Sequence, residues 1–285
     1  MSWYGLAIFS LLFMGTQRFM YKVSAERRCN SAWTTFSFMG TVAVLSSLLC
    51  LLSQNTVVNI PFLICIAFVN SGAFLLATLT HIEALKHIPA GVAYPVIRLN
   101  AVIVVIFSIV YFEDSLSPWQ VVGIALAMAV ILVLTRDLPS TRDSRTNIKR
   151  GLIFVFISVI GGAVASISSK FAAVSTDKMA FIAVSYTMAT LFSFALKEKF
   201  QTEESNTNHR DAILIGIIMG VINLAGYYAF LAALSTGPLS IIASIGGMHF
   251  VIATVLSRLI YKEKLTHRRI FGLFLTILSI ILLRI

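Results

Sequence analysis

The chain has 285 residues, of which 58% are hydrophobic and only 12% charged, whereas an average soluble domain carries about 25% charged residues. This composition excludes a single water-soluble core. A formal net charge of +10 could suggest a nucleic-acid partner, but the basic residues lie between long apolar stretches, where membrane topology explains them. We therefore expect a chain embedded in a lipid bilayer and no nucleic-acid partner.

Apolar stretches long enough to cross a bilayer recur along the whole chain. A helix needs roughly 20 mostly apolar residues to cross about 30 Å of hydrocarbon. The predicted spans are 3–21, 33–53, 60–80, 90–112, 117–135, 150–172, 179–197, 212–234, 238–260 and 269–285. We expect the first to be a retained helix and not a signal peptide, because no basic segment precedes it. The predicted fold class is all-α integral membrane, with about ten transmembrane helices.

Lys and Arg are distributed unequally between the two sets of loops. Most of them, including Arg18 and Lys22 of loop one, fall in loops one, three, five, seven and nine, whereas the even loops and the termini hold only Lys170, Lys178 and Arg284. The side richer in Lys and Arg normally stays in the cytoplasm. The charge distribution therefore predicts cytoplasmic odd loops, with both termini outside.

The second half of the chain repeats the first at an offset of 149 to 150 residues. Pro89 matches Pro238, and Glu113 matches Glu263. In the first helices of the halves, Lys22 is echoed by Lys170. We divide the chain into residues 1–145 and 146–285. Each half has five spans, an odd number, so the second half must enter the membrane from the opposite side, as in the inverted repeats of secondary transporters.

Both halves end in the pattern AL…P…(apolar helix)…Y-x-E-x-L…G…(apolar helix), from Ala84 to Leu134 and from Ala233 to Leu283. On this pattern the chain resembles the drug/metabolite transporter superfamily, specifically its ten-helix EamA-type members, over nearly its whole length. The resemblance implies a carrier of small metabolites, amino acids, drugs or sugars, with a central cavity lined by helices one, three, four, six, eight and nine. It leaves the substrate open. It also implies cytoplasmic termini, opposite to the charge distribution, so the orientation stays open as well.

Arg98 lies inside the fourth predicted span. A guanidinium near the middle of a bilayer costs at least about 2.5 to 3.5 kcal/mol on insertion scales. One reading is an anion-binding residue that holds a carboxylate or phosphate through its two-pronged donor group. The other is a structural residue, paired with a carboxylate such as Glu83 or extended toward the nearer membrane face.

Two predicted helix interruptions lie at similar depths in the fourth and ninth spans. Pro95 lacks a backbone donor, and Gly246 and Gly247 stand in the ninth span. Paired interruptions point to the binding site of a transporter, although small residues also allow helices to pack closely. Asn100 aligns with His249. Either could contact substrate, and His249 is a candidate titrating group, while a hydrogen-bonded packing role is the alternative.

Other polar residues within the spans are expected to face the protein interior, because hydrocarbon offers them no partners. Whether they contact a substrate or only bond neighbouring helices is open. These further candidates for the cavity are Gln17, Asn70, Tyr94, Asn223, Tyr227 and Tyr228.

No motif points to catalysis. HExxH, GxSxG and phosphate-loop patterns are missing, and His81, Glu83 and His87 do not share one helical face. We therefore expect no catalytic residue, metal or cofactor. A receptor or scaffold is disfavoured because no long extramembrane segment is present.

The sequence thus favours a secondary, alternating-access transporter of a small polar metabolite. If Arg98 contacts that metabolite, an anionic one is expected. The alternatives are a flippase for a lipid-linked sugar or phosphate, which would also need a cationic contact, and a non-transport membrane protein. The expected partners are a small-molecule substrate and the bilayer, and a homodimer is compatible with the sequence. The expected location is the cytoplasmic membrane.

Overall fold

The computed structural model describes residues 2–27, 29–53, 59–87, 97, 99–135, 148–195, 209–262 and 267–285. Every regular element in these ranges is an α-helix, which confirms the predicted all-helical membrane fold. The helices are α1 (Trp3–Glu26), α2 (Ser31–Ser53), α3 (Ile60–His87), α4 (Asn100–Tyr111), α5 (Pro118–Thr135), α6 (Ile148–Ser175), α7 (Lys178–Ala195), α8 (His209–Thr236), α9 (Leu239–Gly247), α10 (His249–Tyr261) and α11 (His267–Arg284). Helices α9 and α10 together form the ninth predicted span.

Six spans in the described ranges are long and apolar enough to cross a bilayer: α2, α3, α6, α7, α8 and the joined pair α9–α10. The described parts of α4, α5 and α11 form shorter apolar helices. Helix α1 has 24 residues but is less apolar, because it includes Gln17, Arg18 and Lys22. Large apolar side chains cover the outside of the bundle, as at Leu51, which is 78% exposed. A bilayer would cover this surface.

Several helices run past the predicted ends of their spans. Helix α1 continues to Glu26, and α6 and α8 each have 28 residues, about 42 Å at 1.5 Å per residue. This exceeds the hydrocarbon thickness of about 30 Å. The added residues include charged side chains such as Lys149 and Arg210, which can extend into the headgroup region. Hydropathy alone therefore predicts helices that are too short.

Helix packing follows the internal repeat, in which α1, α2, α3, α4 and α5 correspond to α6, α7, α8, α9–α10 and α11. Helix α3 packs against α6, and the equivalent pair α8 and α1 also packs together. When each helix is replaced by its counterpart in the other half, the packed pair α2 and α8 becomes α7 and α3, and the pair α1 and α10 becomes α6 and α4. Three further packed pairs join a helix to its own counterpart: α2 with α7, α4 with α9, and α5 with α11. The two halves are therefore related by a pseudo-twofold arrangement.

Glycines allow two of these helices to approach closely. A Cβ on Gly216 of α8 would lie 2.7 Å from the Thr34 carbonyl oxygen of α2, and one on Gly220 would lie 2.6 Å from the Thr41 Cβ. Gly40 of α2, by contrast, has nothing within 4 Å of the equivalent position. Small residues of this kind are the usual means by which membrane helices reach close contact.

We expect Gly216→Ala to lower the thermal stability of the purified protein, because the new methyl group pushes α8 away from backbone atoms of α2. Overpacking of this kind costs about 1 to 3 kcal/mol. The measurement is the melting temperature in detergent. Gly40→Ala is the matched control and should leave the melting temperature unchanged or raise it, since Ala favours a helix by about 1 kcal/mol over Gly. Equal effects of the two substitutions would contradict the close contact.

Candidate functional site

A cavity of about 500 Å³ lies in the middle of the helix bundle. Its lining comes from α1, α2, α3, α4, α6, α7, α8, α9 and α10. The volume lies within the range of about 300 to 1,000 Å³ that is typical of small-molecule sites. Both repeats therefore contribute to one central chamber of a size suited to a small ligand.

The structure places many of the predicted site residues on this wall. Those that line the cavity are Gln17, Asn70, Asn100, Asn223, Tyr227, Gly246, Gly247 and His249. Tyr94, Pro95 and Arg98 lie outside the described residues, as does Glu263. Glu83, the carboxylate expected near Arg98, lies 3.6 Å from the His87 imidazole on the same helix.

Three expectations about individual residues need correction. Tyr228 does not line the cavity and is 43% exposed, because successive helix residues point about 100° apart and Tyr227 takes the inward position. Arg18, counted with loop one, lies within α1 and lines the cavity. Lys170, counted with an even loop, lies within α6 and is only 8% exposed.

A polar cluster joins α3 to α6 at the wall of the cavity. The Asn70 amide nitrogen lies 2.8 Å from the Ala165 carbonyl oxygen, 2.9 Å from the Ser168 hydroxyl and 3.1 Å from the Ser169 hydroxyl, and its two N–H groups are shared among these three acceptors. Ser169 is also 3.0 Å from the Tyr227 hydroxyl of α8. Asn70 is 8% exposed. The cluster therefore fixes three cavity-lining helices relative to one another.

Helix α7 contributes residues that the sequence analysis missed. The Tyr186 hydroxyl donates a hydrogen bond of 2.6 Å to the Asn223 side-chain oxygen, and Ser185 also lines the cavity. Serine and tyrosine are common in membrane helices, so only the helical phase of Ser185 and Tyr186 could have indicated an inward position. The sequence carried one signal for the missed Arg18, a charged side chain inside the predicted span 3–21.

Turns at equivalent positions, which we call the two helix breaks, directly precede α4 and α10. Leu99 forms a turn before α4 and Met248 forms a turn between α9 and α10. The Val102 N–H donates to the Leu99 carbonyl oxygen at 3.0 Å, and the Val251 N–H donates to the Met248 carbonyl oxygen at 2.9 Å. The two breaks thus share one hydrogen bond between residues three apart, and the next residues, Asn100 and His249, line the cavity.

Each break rests against a glycine in the first helix of a half. A Cβ on Gly15 of α1 would lie 2.7 Å from the His249 carbonyl oxygen. A Cβ on Gly162 of α6 would lie 2.6 Å from the Asn100 amide nitrogen. The His249 ring nitrogen Nδ1 donates to the Gly246 carbonyl oxygen across the break. Since a carbonyl can only accept, this bond assigns the Nδ1 proton.

A tightly bonded cluster closes the end of the bundle that carries the even loops. The Lys170 ammonium donates to the carbonyl oxygens of Leu234 at 2.6 Å and Gly237 at 2.9 Å, and lies 5.5 Å from the Phe112 ring centre. Asp114 accepts from the Ser240 N–H at 3.0 Å and from its hydroxyl at 2.7 Å. The cluster joins α6, α8, α9 and the segment after α4.

The opposite end of the cavity is the exposed one. Among the described lining residues, those exposed are Arg18, Phe74 and Thr78, and all three lie on the parts of α1 and α3 that lead to loops one and three. Toward the even loops, by contrast, Leu234, Leu239 and Ile242 are at most 1% exposed. Among the described residues, the lining that reaches the protein surface therefore lies on the side of the odd loops.

A multi-pass helical fold with an internal repeat and a central cavity is the architecture expected of a membrane transporter. The chain belongs to the EamA-like transporter family, whose sequence profile matches residues 1–136 and 149–285. This result confirms the predicted family and the two-repeat architecture.

Two further proteins are similar to the chain. An uncharacterized transporter of Archaeoglobus fulgidus is 22% identical over 211 residues, which cover 74% of this chain and 72% of that protein. A solved crystal structure, described only as that of a protein, superposes with a TM-score of 0.76 at 15% identity. The match covers 97% of this chain and 94% of the other. At this identity the structural similarity supports the fold alone.

We expect Asn70→Ala to lower the melting temperature in detergent, because it removes the two N–H donors that link α3 to acceptors of α6. Each bond between membrane helices contributes on average about 0.6 kcal/mol. Ser166→Ala provides the matched control. Ser166 also lines the cavity, but among the described residues its hydroxyl bonds to the Gly162 carbonyl oxygen of its own helix and to no other helix. The assigned role of Asn70 is wrong if the two variants melt at the same temperature.

Proposed function

We propose that the protein is an alternating-access secondary transporter that carries a small polar metabolite, in anionic form, across the cytoplasmic membrane. The observation that carries the proposal is the pair of equivalent helix breaks at Leu99 and Met248. Discontinuous helices at matching positions of inverted repeats are where transporters bind their substrates. The small molecule and the bilayer are the proposed partners, and a homodimer stays a prediction.

The closed end supports the alternating-access part of the proposal. Lys170 bonds the end of α8 and lies over Phe112. Its counterpart in the first half, Lys22, has its ammonium 5.1 Å from the centre of the Tyr261 ring. Tyr261 follows the second helix break as Phe112 follows the first. Each end of the bundle therefore carries a lysine over an aromatic ring, and exchange of the two arrangements would close one end while opening the other.

Charge at the cavity supports an anionic substrate. Arg18 lines the cavity and lies 5.8 Å from the Tyr21 ring centre, while no Asp or Glu lies among the described lining residues. An arginine can hold a carboxylate or phosphate through two parallel hydrogen bonds. Arg98 stays a second cationic candidate on sequence grounds. The proposal assigns no catalytic residue and no cofactor to the chain.

We expect Lys170→Met and Lys22→Met to shift the conformational equilibrium in opposite directions. The reporter is a thiol introduced by Ile242→Cys in a background without Cys29, Cys50 and Cys65. Ile242 is 1% exposed at the closed end. Lys170→Met should speed labelling of this thiol in detergent by about tenfold, since a hydrogen bond to a charged group contributes about 1.5 to 3 kcal/mol. Lys22→Met should slow the labelling.

Lys178→Met is the matched control for the loss of one positive charge. Lys178 begins α7 at the same end of the bundle and should leave the labelling rate unchanged. Faster labelling in both the Lys170 and the Lys22 variants would indicate general loosening of the fold. That result would contradict the alternating roles of the two lysines.

We expect carboxylates or phosphates, among a panel of charged and neutral metabolites, to raise the melting temperature of the purified protein. Arg18→Gln should remove most of this stabilisation, because the positive charge and its paired donors are lost. Arg27→Gln provides the control: Arg27 is exposed and lies 3.4 Å from Asp211, outside the cavity.

Stabilisation by neutral or cationic ligands alone would contradict the anionic substrate but not the transporter fold. Stabilisation restricted to lipid-linked phosphates would instead favour a flippase over a carrier of soluble metabolites. Measuring Arg98→Gln with the same panel of ligands tests whether Arg98 also contributes to anion binding.

A further inference from the structure

Aromatic side chains surround one part of the cavity, between α7 and α8. The ring centres of Tyr186 and Tyr227 lie 6.0 Å apart with an angle of 65° between the ring planes, and those of Tyr227 and Phe230 lie 6.1 Å apart at 18°. Phe38 meets Tyr186 edge-on at 6.1 Å. All four residues line the cavity. This part of the wall therefore presents several ring faces and edges to a ligand.

Hydrogen bonds hold two of these rings in place. The Tyr186 hydroxyl is bonded to Asn223 at 2.6 Å, and the Tyr227 hydroxyl lies 3.0 Å from Ser169. Because the hydroxyls are bonded to the protein, the rings are already fixed in orientation before a ligand enters. A fixed aromatic wall loses little side-chain entropy on binding.

Ser185 departs from the usual behaviour of helix hydroxyls. Thr187 and Thr190 of the same helix donate to the carbonyl oxygens four residues earlier, at 2.7 Å each. The Ser185 hydroxyl is 3% exposed and has no hydrogen-bond partner among the described residues. It lies next to Tyr186 and lines the cavity. A buried polar atom without a partner calls for an explanation, and a ligand atom supplies one.

We propose that this region is a subsite for a planar aromatic ring whose polar ring substituent hydrogen-bonds to Ser185. The inference rests on the proposed function and narrows it, since the substrate becomes an aromatic anion with its acidic group toward Arg18. An aromatic wall binds an aromatic ligand more tightly than a saturated ligand of equal size, because ring edges and faces carry opposite partial charges. Among aromatic ligands, Ser185 then favours those with a polar substituent on the ring.

The test uses three carboxylates of similar size: phenylacetate, cyclohexylacetate and 4-hydroxyphenylacetate. Dissociation constants are measured by calorimetry on the purified full-length protein. Phenylacetate should bind about three- to tenfold more tightly than cyclohexylacetate. 4-Hydroxyphenylacetate should bind more tightly still, by about fivefold, through the additional hydrogen bond.

The decisive variant is Ser185→Ala. It should remove the advantage of 4-hydroxyphenylacetate over phenylacetate and leave phenylacetate binding unchanged. Without ligand it should melt at or above the wild-type temperature, because the lost hydroxyl has no bond within the described protein. Thr187→Ala is the matched control: Thr187 is exposed, does not line the cavity, and should leave all three dissociation constants unchanged.

Equal binding of the aromatic and saturated carboxylates overturns the ring subsite and leaves the proposed anion carrier in place. An advantage for 4-hydroxyphenylacetate that survives Ser185→Ala overturns the role of Ser185. If no carboxylate binds, both the subsite and the anionic form of the proposed function fail.

Should Tyr227→Leu lower the affinity for phenylacetate but not for cyclohexylacetate, the ring contact itself is supported. Equal losses for the two ligands count against the ring contact.

Discussion

The absence of water inside a bilayer is the constraint on which this structure depends. A backbone group exposed to hydrocarbon has no partner, so a membrane chain must satisfy its N–H and carbonyl groups within helices. The protein departs from regular helix at Leu99 and Met248, where the chain faces other helices and the cavity. A break in the helical ladder is acceptable there because neighbouring protein, or water in the cavity, can replace the missing partners.

The two halves share one plan but use it unequally. Glycines of α1 and α6 lie against the two breaks, and equivalent helix pairs pack together on both sides of the pseudo-twofold axis. The contacting atoms differ: Gly15 meets the His249 carbonyl oxygen, whereas Gly162 meets the Asn100 side-chain amide. The side chains that line the cavity differ as well, with His249 in one half where Asn100 stands in the other. Different side chains at equivalent positions allow a pseudo-symmetric fold to favour one of its two arrangements.

The sequence was a good guide to the helices and their relation, and a partial guide to the cavity. Hydropathy and the repeat are properties of long segments, so a fold predicted from them does not depend on the correct placement of any single residue. Polar residues deep in apolar spans, such as Asn70, could be recognised because hydrocarbon excludes them. Arg18 could not be separated from loop charges by counting, and Tyr228 needed the helical phase that only contacts with neighbours fix. Side chains such as Ser185 carry no unusual signal until their missing bonds are seen.

Helix α1 shows how far each half of the chain depends on the other. Its main neighbours in the bundle are α8 and α10, which follow it by about two hundred residues along the sequence. Its charged and amide side chains leave it less apolar than the six spans that are long and apolar enough to cross a bilayer. The helices that pack around α1 therefore come mainly from the second half, and a first half on its own would leave this helix without them.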